Sequence, residues 1–99
     1  MPPEDFFIPE DTLDIHDYGP MLHHEIEYLI TRFITDNYNR KLEKIKIITG
    51  KGNVVSPLTI KILKKSKHVK EYRYAGYFSG QKGAIEIILH KNTVNKRKK

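Results

Sequence analysis

The sequence predicts a two-layer α/β domain of element order βαβαββ, with a four-stranded sheet and two helices on one face. Three patterns predict it. Apolar residues recur every three or four positions at Leu22, Ile26, Leu29, Ile30, Phe33 and Ile34, which is one face of a helix. Short β-branched runs stand at Ile45-Lys46-Ile47-Ile48-Thr49 and Ala84 to Leu89, each bounded by glycine. Two helices cannot cover both faces of such a sheet, so the other face is at least partly open.

Residues 1–11 hold three prolines and four acids around Phe6, Phe7 and Ile8, which predicts an irregular lead-in. Thr12-Leu13-Asp14-Ile15-His16 alternates apolar and polar, so a first strand sends Leu13 and Ile15 inward and puts Asp14 and His16 together on the opposite face. Gly19-Pro20 opens the first helix, and Asn37, Asn39 and the charged stretch to Lys44 end it. A second strand covers Ile45 to Thr49. Ser56 is the expected N-cap of the second helix, with Pro57 at its first position, Leu58, Ile62 and Leu63 inward, and an end near Lys65. Val69 to Ala75 is rich in β-formers, but Val69, Tyr72 and Ala75 break clean alternation, which suggests a bulge. After the loop framed by Gly76, Gly80 and Gly83, the last strand turns Ile85, Ile87 and Leu89 inward and Glu86, Ile88 and His90 outward. The open face then carries Asp14, His16, Lys46, Glu86 and His90.

The chain of 99 residues fits one domain over 12–90, between the lead-in at 1–11 and a basic, disordered tail at 91–99. No apolar run approaches the ~20 residues that span a bilayer, and the acidic start is unlike a signal peptide, so a soluble, cytoplasmic monomer with no membrane partner is expected. Without cysteine there is no disulfide, thiolate zinc site or cysteine nucleophile. Net charge of +6 conceals an uneven layout: residues 1–39 sum to −8, residues 40–70 to +9, residues 71–90 to zero and residues 91–99 to +5. Such a positive block is the electrostatic footprint of a nucleic-acid binder, although lysine-rich surfaces also occur without one.

Chemistry concentrates at two places. Asp14 and His16 form an acid-base pair on one strand face, the imidazole able to move protons near neutrality and the carboxylate able to orient it. Gly50-Lys51-Gly52 follows a strand and leads to a helix N-terminus, where backbone N–H groups and the Lys51 ammonium could cradle a phosphate. In a parallel βαβ unit both places stand at carboxyl ends of strands and converge. Plainer roles exist for each, solvation of an open sheet face for the pair and a tight turn needing positive φ for the glycines. His23 and His24 begin the first helix in a run, HHEIE, that lacks zinc-binding spacing, so no metal site is assigned. Tyr72, Tyr74, Tyr77 and Phe78 could stack on unpaired bases or fill the core and sheet edge.

Leu13-Asp14-Ile15-His16, the long helix after it, Thr49-Gly50-Lys51-Gly52 before the second helix and Gly83-Ala84-Ile85 near the end together resemble the small MutS-related (Smr) domain, marked by LDxH and TGxG segments in this order. The resemblance covers Thr12 to about Leu89 and looks like a stand-alone domain with short flanks. It implies a mixed four-stranded sheet in a βαβαββ fold like the C-terminal domain of a bacterial translation initiation factor. It also implies endonuclease activity on RNA or DNA, with nucleic acid as partner and the ribosome as a further one. Asp14 and His16 match the functional LDxH, and Gly50, Lys51 and Gly52 match the glycine loop. Lys46 is added as a nucleic-acid contact from its place on the open face. Asp17 stands where the family usually has glycine, adding a negative charge and a Cβ beside the phosphate position. No cofactor is required by this reading, with Mg²⁺ or Mn²⁺ on Asp14, and His16 activating water, as the alternative. A non-catalytic nucleic-acid- or ribosome-binding module is the other functional reading.

Overall fold

The computed structural model describes residues 7–50, 54–75 and 83–93, with only the backbone at 16 and 17. Strand β1 is Asp11–Asp14, helix α1 His23–Asn39, strand β2 Lys44–Ile48, helix α2 Val55–Lys65, strand β3 Val69–Tyr74 and strand β4 Ala84–Leu89. The four strands form one mixed sheet in the order β1-β2-β4-β3. β1 and β2 are parallel, joined through α1, while β4 runs antiparallel to both β2 and β3. Both helices lie on one face, as the two-layer expectation required.

Isoleucine fills the middle of the sandwich. Ile45 pairs with Ile87 and Ile47 with Ile85 across β2 and β4, and all four are completely buried. Ile26, Ile30 and Ile34 of α1 and Ile62 and Leu63 of α2 cover them from one side. Each such side chain contributes about 1.5–3 kcal/mol on burial, so this layer carries most of the drive to fold.

Several local expectations change. The first strand ends at Asp14, and Ile15–Tyr18 forms a 3-10 turn, so His16 is no strand residue and shares no pleat with Asp14. Ile15 is nevertheless buried, because the turn folds its apolar side chain onto the core. Helix α1 starts three residues after Pro20, with the Glu25 carboxylate accepting a hydrogen bond from the Leu22 N–H at 2.8 Å. Asn37 does not end that helix. Its side chain is buried, donating to the Phe33 carbonyl at 3.0 Å and accepting from Arg40 at 3.2 Å. The stop comes at Lys41, whose φ of 66° is left-handed and breaks the helical run.

Ser56 is not the N-cap of α2. Val54 holds that position, and the Ser56 hydroxyl, within the first turn, is 3.1 Å from the Tyr74 hydroxyl. The bulge expected in β3 occurs between Val69 and Glu71. Tyr72 packs against the core and Tyr74 meets α2, so both face the helices and Arg73 faces the other way. The tail begins anchored, since the Asn92 amide donates to the Tyr38 carbonyl at 2.8 Å. Tyr77, Phe78, Gly76 and Gly80 lie outside the described residues.

Candidate functional site: the carboxyl ends of β1 and β2

Parallel pairing aligns Leu13 with Ile47 and Asp14 with Ile48, so the two strands finish side by side. β1 leaves the sheet through the Ile15–Tyr18 turn, and β2 leaves it through Thr49 and Gly50. The LDxH segment and the start of the TGKG segment are therefore neighbours, as expected for two strands of a parallel βαβ unit.

A third segment locks this corner. The Gly83 carbonyl accepts hydrogen bonds from Thr49 N–H at 2.8 Å and Gly50 N–H at 3.0 Å. The buried Thr49 hydroxyl donates to the Gly50 carbonyl at 3.0 Å and approaches that of Gly83 at 3.4 Å. Gly50 has φ of 76°, where a Cβ would meet the following carbonyl oxygen. This residue is thus needed for its conformation, the plainer of the two roles open to the glycine loop. Lys51 and Gly52, and the His16 side chain, lie outside the described residues.

Lys46 sits two residues before Ile48 on the face away from the helices and is half-buried. Glu86, opposite Lys46 in register, departs from the open-face expectation. Only 3% of it is exposed, and it accepts a charge-assisted hydrogen bond from Arg73 Nε at 2.9 Å. A carboxylate this deeply buried has to be paired, and Arg73 on the adjacent strand supplies the partner. His90 lies just beyond β4 and is exposed, its N–H donating to the His68 carbonyl at 2.8 Å. His68 itself stacks on Tyr38 with ring centroids 4.0 Å apart. Burial, and then the charges of Lys67 and His90, hold its pKa below the usual 6.5.

Among the described residues no group of three His, Asp or Glu side chains is arranged to hold a metal ion. The charge pattern could have suggested Arg73 with Glu86 only if the strand order were known, and Gly83 carries a visible signal through its Gly-Ala motif.

The chain belongs to the Smr domain family, whose pattern matches residues 13–90. It is 36% identical over 63 residues to the endonuclease MutS2 of Clostridium botulinum strains Eklund 17B and Alaska E43. That alignment takes in 63% of this chain but 8% of those much longer proteins. The crystal structure of the Smr domain of Thermus thermophilus MutS2 superposes with a TM-score of 0.70 at 17% identity, covering 84% of this chain and 99% of that one. YdaL of Escherichia coli, a stand-alone small MutS-related protein, gives 0.71 at 20% identity over 87% of this chain and 69% of that one. These structures share the fold. Among the described residues no helix is long and apolar enough to cross a membrane.

Proposed function

We propose that this Smr domain is a nucleic-acid endonuclease whose centre lies at the joined carboxyl ends of β1 and β2. The observation that carries the reading is the parallel register of Asp14 with Ile48, which draws the LDxH turn against a Thr49-Gly50 corner tied to Gly83. The name of the C. botulinum relatives, endonuclease MutS2, agrees with it.

On RNA, His16 takes the proton of an attacking 2′-hydroxyl or delivers one to the leaving 5′-oxygen, and solvent supplies the complementary transfer. The 2′-oxygen to phosphorus bond forms as the phosphorus to 5′-oxygen bond breaks. Asp14 orients the imidazole or stabilises its charged form, and Gly50, Lys51 and Gly52 hold the phosphate, with Lys46 as a further contact. DNA lacks the 2′-hydroxyl, so nicking would need water as nucleophile. Asp14 supplies one carboxylate, too few ligands among the described residues for a dedicated Mg²⁺ or Mn²⁺ site.

Asp17 favours a second reading, a module that binds nucleic acid or the ribosome without cutting, because it puts a negative charge within the four-residue turn that carries His16. Incubating the purified chain with end-labelled RNA and DNA, with and without EDTA, separates the two. Cleavage is expected, and binding without cleavage on every substrate would replace the first reading with the second.

A further inference from the structure

Strand register builds a cationic row beside the candidate centre. Thr12, Lys46, Glu86 and Arg73 stand opposite one another across β1, β2, β4 and β3, on the face away from the helices. The Asp14, Ile48 and Ala84 row lies two residues along, about 7 Å away on the same face. Arg73 and Lys46 flank Glu86 one strand to each side, about 10 Å apart.

The three charges are unequally satisfied. Glu86 is buried and takes its hydrogen bond from Arg73 Nε, whereas the Arg73 side chain is 55% exposed. Lys46 makes no ion pair among the described residues. The contact uses Nε alone, so the end-on edge formed by the two terminal guanidinium nitrogens, which can grip a phosphate with two parallel hydrogen bonds, is not consumed by Glu86. A buried carboxylate thus anchors Arg73 through Nε, while Lys46 has no such anion among the described residues. Tyr72 and Tyr74 face the helices, so neither offers this face a stacking surface for bases.

We propose that the sheet face away from the helices carries a phosphate track, in which Arg73, held by Glu86, and Lys46 bind phosphates of a nucleic-acid strand running to the centre at Asp14. Arg73 is a binding residue and Glu86 a positioning residue acting through it. The track reads backbone charge and carries no base preference. This inference rests on the nucleic-acid reading above and adds residues and a binding mode to it.

The test is fluorescence-anisotropy titration of the full chain with a labelled mixed-sequence single-stranded RNA 20-mer, from low to near-physiological salt. R73A is expected to weaken binding about tenfold, the scale of a hydrogen-bonded charge contact, and to make the log–log salt slope shallower by about 0.7. R73K keeps the charge and the slope yet loses several-fold in affinity, because ammonium cannot form the fork. E86Q weakens binding less than R73A, and the E86Q/R73A double variant binds no worse than R73A, the non-additivity of a residue acting through another. Changing the RNA sequence leaves the R73A deficit unchanged. Wild-type affinity and slope in folded R73A overturn the track while leaving the endonuclease reading in place. Failure of the wild-type chain to bind any oligonucleotide overturns both. If removal of Arg73 unfolds the domain by stranding Glu86, R73K decides, and unchanged affinity in it overturns the forked contact.

Discussion

The carbonyl of Gly83 accepts the backbone N–H of Gly50 at 3.0 Å, joining two glycines 33 positions apart in the chain at the end of the candidate site. Thr49 N–H converges on the same oxygen at 2.8 Å. A carbonyl has two lone pairs, so both bonds can form together, and the corner that begins the TGKG segment is held by the residue just before β4.

Gly50→Ala is therefore expected to destabilise the domain by about 1 kcal/mol or more, since φ of 76° is unfavourable for any residue with a Cβ. Cleavage should fall further than stability accounts for, because the Thr49-Gly50 corner beside Asp14 is displaced. Chemical denaturation and cleavage rates on the same preparation check this. An Ala variant with normal stability would show that the turn relaxes without cost.

Asp14→Asn and His16→Ala should each lower cleavage at least ~100-fold, the scale for losing an acid-base group, while leaving the fold intact. Asp14 lies outside the buried hydrophobic cluster, and circular dichroism and melting check that each variant keeps the parent fold. Full single-turnover activity in either folded variant would remove that residue from the mechanism.

Lys51→Ala should weaken nucleic-acid affinity about equally for every sequence and make the salt slope shallower by about one unit. Titrations at several salt concentrations measure both. An unchanged slope would make Gly50-Lys51-Gly52 a structural turn only.

His68 links stability to pH. Its folded-state pKa is lowered by burial, so above about 6.5 it is neutral in both states and costs nothing. As pH falls from there toward the folded pKa, the unfolded chain binds a proton that the folded chain refuses, and stability declines. Thermal melts between pH 7.5 and 5.5 should fall more steeply for the wild-type chain than for His68→Phe, which keeps the aromatic stack on Tyr38. Equal slopes would mean that the stacked imidazole accepts its proton without penalty.

Local pattern carried much of this protein into view. Helical periodicity placed Ile26, Ile30 and Ile34 on the buried face, alternation placed Ile85, Ile87 and Leu89 inward, and broken alternation marked the β3 bulge. Each of these depends on side chains within a few residues of one another, so the information is contiguous in the chain. The order of Leu13-Asp14-Ile15-His16 and Thr49-Gly50 was legible in the same way, as spacing along one dimension.

Tertiary structure decided the rest, where burial or a partner distant in sequence sets a side chain's role. Asn37 read as a helix-ender but is buried, because Arg40 and the Phe33 carbonyl satisfy its amide. Ser56 read as a cap, yet its hydroxyl meets Tyr74 across the α2–β3 packing. Glu86 looked solvent-facing until the order β1-β2-β4-β3 made its strand central and brought Arg73 beside it. Alternation states which side chains share a face; only strand order and register state which strand lies next to which, and therefore whether a charge on that face meets water or a partner.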